Sequence, residues 1–160
     1  MKVIFLDIDG VLNCRSTTEC CGLWVGIDDD KLQRLRRIVE ATQAVIVLTS
    51  TWKIDWYKDE KDKQDQLARY LDEKMNTIGL QIIDKTEDRW FDRGAGVLRW
   101  MAERSVEAFV ILDDEPFEYA ELGLMERLIQ TVESADDGGL QEEHVQRAIE
   151  FLNQRKGANV

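Results

Sequence analysis

Lys2 to Leu12 reads KVIFLDIDGVL, and the fold is decided in this stretch. Val3, Ile4, Phe5 and Leu6 form an unbroken apolar run rich in β-branched and aromatic residues, the pattern of a strand buried on both faces of a parallel sheet. Two carboxylates end it. Asp7 and Asp9 stand two apart, so at an extended strand end both side chains point to the same side, and Gly10 lets the backbone turn sharply just after them. Asp-Gly is also a common turn dipeptide, but a turn needs neither the first carboxylate nor the apolar strand before it. Two like charges at a hydrophobic strand end are costly to desolvate unless a cation or a reaction uses them. The spacing therefore points to a metal.

Working outward, 160 residues suit one domain over 1–160 with a buried core, and leave no room for a second. An apolar share of 44% beside 33% charged residues describes an ordinary globular chain rather than a disordered one. No apolar run approaches the roughly 20 residues of a membrane span, and the N-terminus enters a strand without the regions of a secretory leader. No membrane partner and a cytoplasmic location are expected. A net charge of −11 repels polyanions at long range, which disfavours non-specific nucleic-acid binding. Cys14, Cys20 and Cys21, odd in number and crowded together, do not form a disulfide framework, and no role is assigned to them. The only histidine, His144, is too far off to complete a zinc site and is expected on an exposed helix face.

Residues 13–27 lack helical periodicity and read as a loop or small hairpin. Leu32, Leu35, Ile38 and Val39 then recur at helical spacing, with one of Asp28, Asp29 and Asp30 expected to cap the helix. Ala44 to Leu48 is a second buried strand ending in Thr49, Ser50, Thr51 and Trp52. A hydroxyl at a strand end can donate to a phosphoryl oxygen, although Thr-Ser there is also a plain helix cap. Either Thr49 or Ser50 is the candidate. A helix with Leu67, Leu71, Met75 and Ile78 on one face ends at Gly79, and Leu80 to Ile83 supplies a third strand. After the irregular, aromatic stretch 88–92, Arg93 opens a helix carrying Val97, Leu98 and Met101, an electrostatically misplaced position for a cation. Phe109 to Leu112 is a fourth strand running into Asp113 and Asp114, which repeats the acidic strand end of Asp7 and Asp9. Leu128 to Val132 is a fifth strand, followed by a polar turn and a helix with Val145, Ala148, Ile149 and Leu152 inward.

D-x-D-G-V after a buried strand, together with the later motifs, resembles the haloacid dehalogenase (HAD) superfamily of phosphohydrolases. A closer likeness is to the compact HAD domain of Swiss-army-knife RNA repair proteins, in the strand followed by TSTW (Leu48 to Trp52), Arg-Gly before a tryptophan-bearing helix (Arg93 to Trp100), LDDE (Leu112 to Glu115) and the final Gly-Leu-initiated helix (Gly139 to Leu152). The resemblance implies that Asp7 is a nucleophile and Asp9 a general acid/base. It implies that Thr49 or Ser50 binds the phosphoryl group, and that Arg93, or failing it Lys85, balances the charge. It also implies Mg²⁺, replaceable by Mn²⁺, on Asp7, the Asp9 carbonyl and Asp114, with Asp113 adjoining or substituting. There is no room for the cap domain some members insert, so 13–27 is expected to act as a flap over an open site, with Cys14 or Trp24 touching substrate.

Strands alternating with helices predict an α/β fold, a doubly wound, Rossmann-like parallel five-stranded sheet. Ligands of such sheets bind beyond the carboxyl ends where strand order reverses, and the order 3-2-1-4-5 brings Asp7, Asp9, Thr49 and Asp114 into one crevice. The function expected is Mg²⁺-dependent hydrolysis of a phosphomonoester through an aspartyl phosphate, with a small molecule, a nucleotide or a nucleic-acid end as the phosphorylated partner. A phosphotransferase differs only in its acceptor. A catalytically silent binding module is the other alternative. Trp52, Trp56 and Tyr57 are expected to line the approach, with Trp56 positioned to stack a base.

Overall fold

The computed structural model describes residues 1–88 and 91–154, so part of the aromatic 88–92 stretch lies outside the described residues. Strand β1 (Lys2–Leu6) is followed by a hairpin of β2 (Cys20–Cys21) and β3 (Trp24–Val25), then by helix α1 (Asp29–Thr42) and β4 (Val45–Leu48). Next come α2 (Gln66–Thr77), β5 (Ile82–Lys85), α3 (Arg93–Ala102), β6 (Ala108–Asp113), β7 (Leu128–Gln130) and α4 (Glu142–Asn153). The five long-range strands form one parallel sheet in the order β5-β4-β1-β6-β7. With the two hairpin strands set aside, this is the expected order 3-2-1-4-5.

The unbroken apolar runs are explained by burial on both faces. Ile4 and Leu6 of β1, Ile46 and Leu48 of β4, and Val110 and Leu112 of β6 pack against α1, α2 and α4. Val3, Phe5, Val47 and Ile111 face the opposite layer, formed by Val97 and Trp100 of α3 with Tyr119, Leu124 and Leu128. Phe5 meets Trp100 edge to face at 5.6 Å, a favourable aromatic geometry. Leu98, one of the apolar residues that mark α3 in the sequence, is exposed, and Trp100 is buried against the sheet. No helix among the described residues is long and apolar enough to cross a membrane.

Several local expectations are corrected. The third strand starts at Ile82 rather than Leu80, because Gly79 turns at φ +75° and the Leu80 N–H bonds back to the Met75 carbonyl. The strand instead takes in polar Asp84, whose carboxylate receives the Trp100 indole N–H at 2.9 Å and Arg104 at 3.1 Å. The fifth strand stops at Gln130, since Thr131 turns in to donate to the Gly10 carbonyl at 2.6 Å. Asp28 occupies the N-cap of α1 but does not cap it with its side chain, which accepts from Lys31 and Thr17, both at 2.7 Å. His144 is half-buried rather than exposed: its Nδ1 accepts the Gln141 N–H at 2.9 Å in a capping box, and burial lowers its pKa. All three cysteines are free, Cys14 and Cys21 buried and Cys20 exposed on the hairpin.

Trp56 is the largest correction. It is 1% exposed and donates to Asp72 at 2.9 Å, so it is a core residue with a satisfied indole and cannot stack a substrate. Trp56→Ala is expected to cost about 3–5 kcal/mol of stability, read as a lower denaturation midpoint in urea with no selective change in KM.

Candidate active site

The site forms where β1, β4 and β6 end together. The Asp7 N–H bonds to the Leu112 carbonyl and the Thr49 N–H to the Leu6 carbonyl, both at 2.9 Å, so ladder hydrogen bonds continue past the strands and hold Asp7, Thr49 and Asp113 at one edge. Asp7 is 3% exposed; its Oδ1 accepts the Ile8 N–H at 2.8 Å and its Oδ2 pairs with Arg93 Nη1 at 2.9 Å. The same Nη1 lies 2.9 Å from Asp113 Oδ2, which also accepts the Tyr119 hydroxyl at 2.9 Å. Arg93 at the start of α3 is thus placed by two buried carboxylates, which explains a cation at the wrong end of a helix dipole.

Asp7, Asp113 and Asp114 each present a carboxylate oxygen, and these oxygens all lie within 4.8 Å of one another. Gly10 makes the approach possible. Its φ is +75°, and a Cβ there would stand 2.5 Å from Asp114 Cγ, so a side chain at position 10 collides with the carboxylate. Three acids against one guanidinium leave an excess of negative charge in a buried space. Burial, and then the neighbouring Asp7, push the Asp113 carboxyl up to about 7 and that of Asp114 up to about 6. For Arg93, burial works against the charge, but Asp7 and Asp113 outweigh it and raise its pKa. An all-oxygen donor set with surplus negative charge fits a hard divalent cation and does not fit zinc.

The two candidate hydroxyls differ in their bonding. Ser50 Oγ accepts the Trp52 N–H at 3.4 Å and so opens the 3₁₀ turn Thr51–Lys53. Thr49 Oγ1 is 1% exposed as a residue and has no hydrogen-bond partner, a costly state for a buried hydroxyl. Of the two candidate cations, Arg93 reaches Asp7, whereas Lys85 Nζ ties down the carbonyls of Lys53 and Trp56 at 2.9 and 2.6 Å.

Three further residues join the site: Trp52, expected only along its approach, and Asn13 and Lys53, for which no site role was expected. Asp9 is held at both oxygens, Oδ2 by the Trp52 indole N–H at 3.0 Å and Oδ1 by Asn13 Nδ2 at 3.0 Å. Asn13 also accepts the Gly10 N–H at 2.9 Å and donates to the Gly26 carbonyl at 3.0 Å, which ties both ends of the 13–27 segment to the catalytic strand. Lys53 donates to the Thr49 carbonyl at 3.3 Å and Thr86 Oγ1 at 2.9 Å and pairs with Asp88, placing a second, largely buried cation behind Thr49. Burial lowers the Lys53 pKa, with Asp88 opposing. Trp52 was visible as part of TSTW and as an aromatic of the approach, though not as a partner of Asp9, and the four-residue spacing from Thr49 to Lys53 was the one sequence signal for the lysine.

A family model described as the HAD domain in Swiss Army Knife RNA repair proteins matches residues 3–145. No curated protein and no solved structure matches the chain.

Proposed function

This chain belongs to the family of HAD domains in Swiss Army Knife RNA repair proteins, and from that premise we propose that it hydrolyses a phosphomonoester through a phosphorylated Asp7. The family carries a phosphohydrolase-type function. The observation that supports the finer reading is the unpartnered, buried Thr49 hydroxyl at the same sheet edge as the Asp7–Arg93 pair. That is a donor in want of an acceptor, beside a carboxylate and a guanidinium, and a phosphoryl group satisfies it.

In the proposed reaction Asp7 attacks phosphorus in line as the bond from phosphorus to the alcohol oxygen breaks, and Asp9 gives its proton to that oxygen. Asp9 then takes a proton from a water whose oxygen attacks phosphorus. The bond between phosphorus and the Asp7 oxygen breaks, releasing phosphate and restoring both carboxyl groups. Thr49 and Arg93 hold the equatorial oxygens throughout, with the charge of Lys53 behind them. Asp7, Asp114 and the Asp9 carbonyl, with Asp113 beside them, would hold Mg²⁺, which when bound neutralises charge on the phosphoryl oxygens. The substrate is a phosphorylated small molecule or chain end.

The test is phosphate release by purified protein from a panel of sugar, nucleotide, aryl and oligonucleotide phosphomonoesters, with and without Mg²⁺. Turnover that needs both Mg²⁺ and Asp7 is expected; none on any ester opposes the reading. Within it, Trp52 and Asn13 are positioning residues for Asp9. Trp52→Phe keeps most of the buried ring and deletes one charge-assisted bond, so kcat should fall by about tenfold to a hundredfold while KM holds. A rise in KM alone would remove Trp52 from that role.

A further inference from the structure

A cavity of about 330 Å³ opens beside Asp9, with Trp24, Ile54 and Leu67 as its apolar wall and Asp55 and Asp65 at its margin. Its size lies in the ordinary range of small-molecule sites. Trp24 is not packed under its loop: it is 63% exposed on the two-residue strand β3, and Ile54, which also lines the cavity, is 56% exposed. An exposed indole on a hairpin, lining one concave surface together with a second exposed apolar side chain, presents a face suited to a flat ring. Among the described residues the lining contains no lysine or arginine.

Position gives the cavity its meaning, on the reading that Asp9 protonates the departing alcohol. The leaving group must lie on the Asp9 side of the phosphorus, and Asp9, two residues beyond Asp7 with its carboxylate held by Trp52 and Asn13, lines this cavity. We propose that the cavity receives the leaving group, and that its indole and paired acids select a neutral, ring-bearing alcohol. The substrate is then a small aryl- or nucleoside-type phosphomonoester carrying a single phosphate. A terminal phosphate on a polynucleotide fits poorly. Each further phosphodiester would enter a space lined by Asp55 and Asp65 with no lysine or arginine among its described lining residues, within the roughly 8 Å over which charges act at physiological salt.

The experiment compares 1-naphthyl phosphate, a sulfonated naphthyl phosphate, glycerol phosphate and a terminally phosphorylated oligonucleotide, all with Mg²⁺. In the wild type the naphthyl ester should have the lowest KM and the oligonucleotide the highest. Trp24→Ala should narrow the KM preference for naphthyl over glycerol phosphate by about tenfold, and Trp24→Phe should restore it. Asp55→Asn combined with Asp65→Asn should close the gap between the naphthyl ester and its sulfonated form. Asn at 65 still caps α2, where Asp65 now accepts the Ala68 N–H. A KM preference unmoved by Trp24→Ala, an unmoved charge gap, or preference for the oligonucleotide overturns the proposal. If none of the four esters is hydrolysed, the reading of the reaction fails instead. The cavity is then judged by calorimetric binding of naphthyl against glycerol phosphate to wild type and Trp24→Ala, where equal affinities for the two proteins overturn it.

Discussion

Asp7→Asn is expected to lower kcat by roughly 10⁴-fold or more on whichever ester the wild type hydrolyses best, while the protein stays folded. Asparagine keeps the shape of the side chain and can still accept the Ile8 N–H through its Oδ1, but it loses the charge and the nucleophilic oxygen. Arg93 keeps its second anchor, Asp113 at 2.9 Å, so the start of α3 remains in place. One of three crowded acids is also removed, which offsets the lost ion pair with Arg93. Circular dichroism and thermal melting in chelator should match the wild type closely. Near-wild-type turnover in this variant excludes a covalent phosphate on Asp7.

The second large effect concerns the cation. Chelation should abolish turnover and Mg²⁺ should restore it, with Mn²⁺ as a working substitute, and Asp114→Ala should prevent the rescue. A reading independent of activity comes from stability: Mg²⁺ at a hundredfold its dissociation constant adds about 2.7 kcal/mol to the folded state, several degrees in Tm. The pH dependence has a definite sign. Asp113 and Asp114 rise from an ordinary 3.8 to about 7 and about 6 in the folded, cation-free protein. Their contribution to stability is then full below about pH 3.8 and is lost as pH climbs through 6 to 7. Bound Mg²⁺ needs the ionised forms, so its stabilising effect should grow over the same interval. A melting temperature indifferent to Mg²⁺ at pH 8 counts against the site.

The sheet was legible because strand burial on two faces leaves unbroken apolar runs, and because three of those runs end in polar residues that mark the carboxyl edge. The third strand was misplaced for a related reason: Asp84 and Lys85 are polar yet extended, satisfied by Trp100, Arg104 and two loop carbonyls that no local pattern announces. Asp7, Arg93, Asp113, Asp114 and the pair Thr49 and Ser50 could be named from strand ends and a misplaced charge, and the structure brings Asp7, Arg93, Asp113 and Asp114 together. The choice between Thr49 and Ser50 depended on which residue starts a 3₁₀ turn, a matter of one position that periodicity does not resolve. Trp52 and Lys53 lie within that turn, so their directions toward Asp9 and Thr49 could not be read either. Trp56 misled because a tryptophan among charged residues suggests exposure, whereas Asp72, sixteen residues on, supplies the partner that lets it be buried.

The distribution of thiols has a practical consequence. Cys20 lies exposed on β2, paired with Val25 next to Trp24, while Cys14 and Cys21 are buried. A maleimide dye added to the native protein will therefore attach at one place without any engineered cysteine. That label sits on the same hairpin as the indole, where fluorescence anisotropy can follow the segment as esters are titrated in.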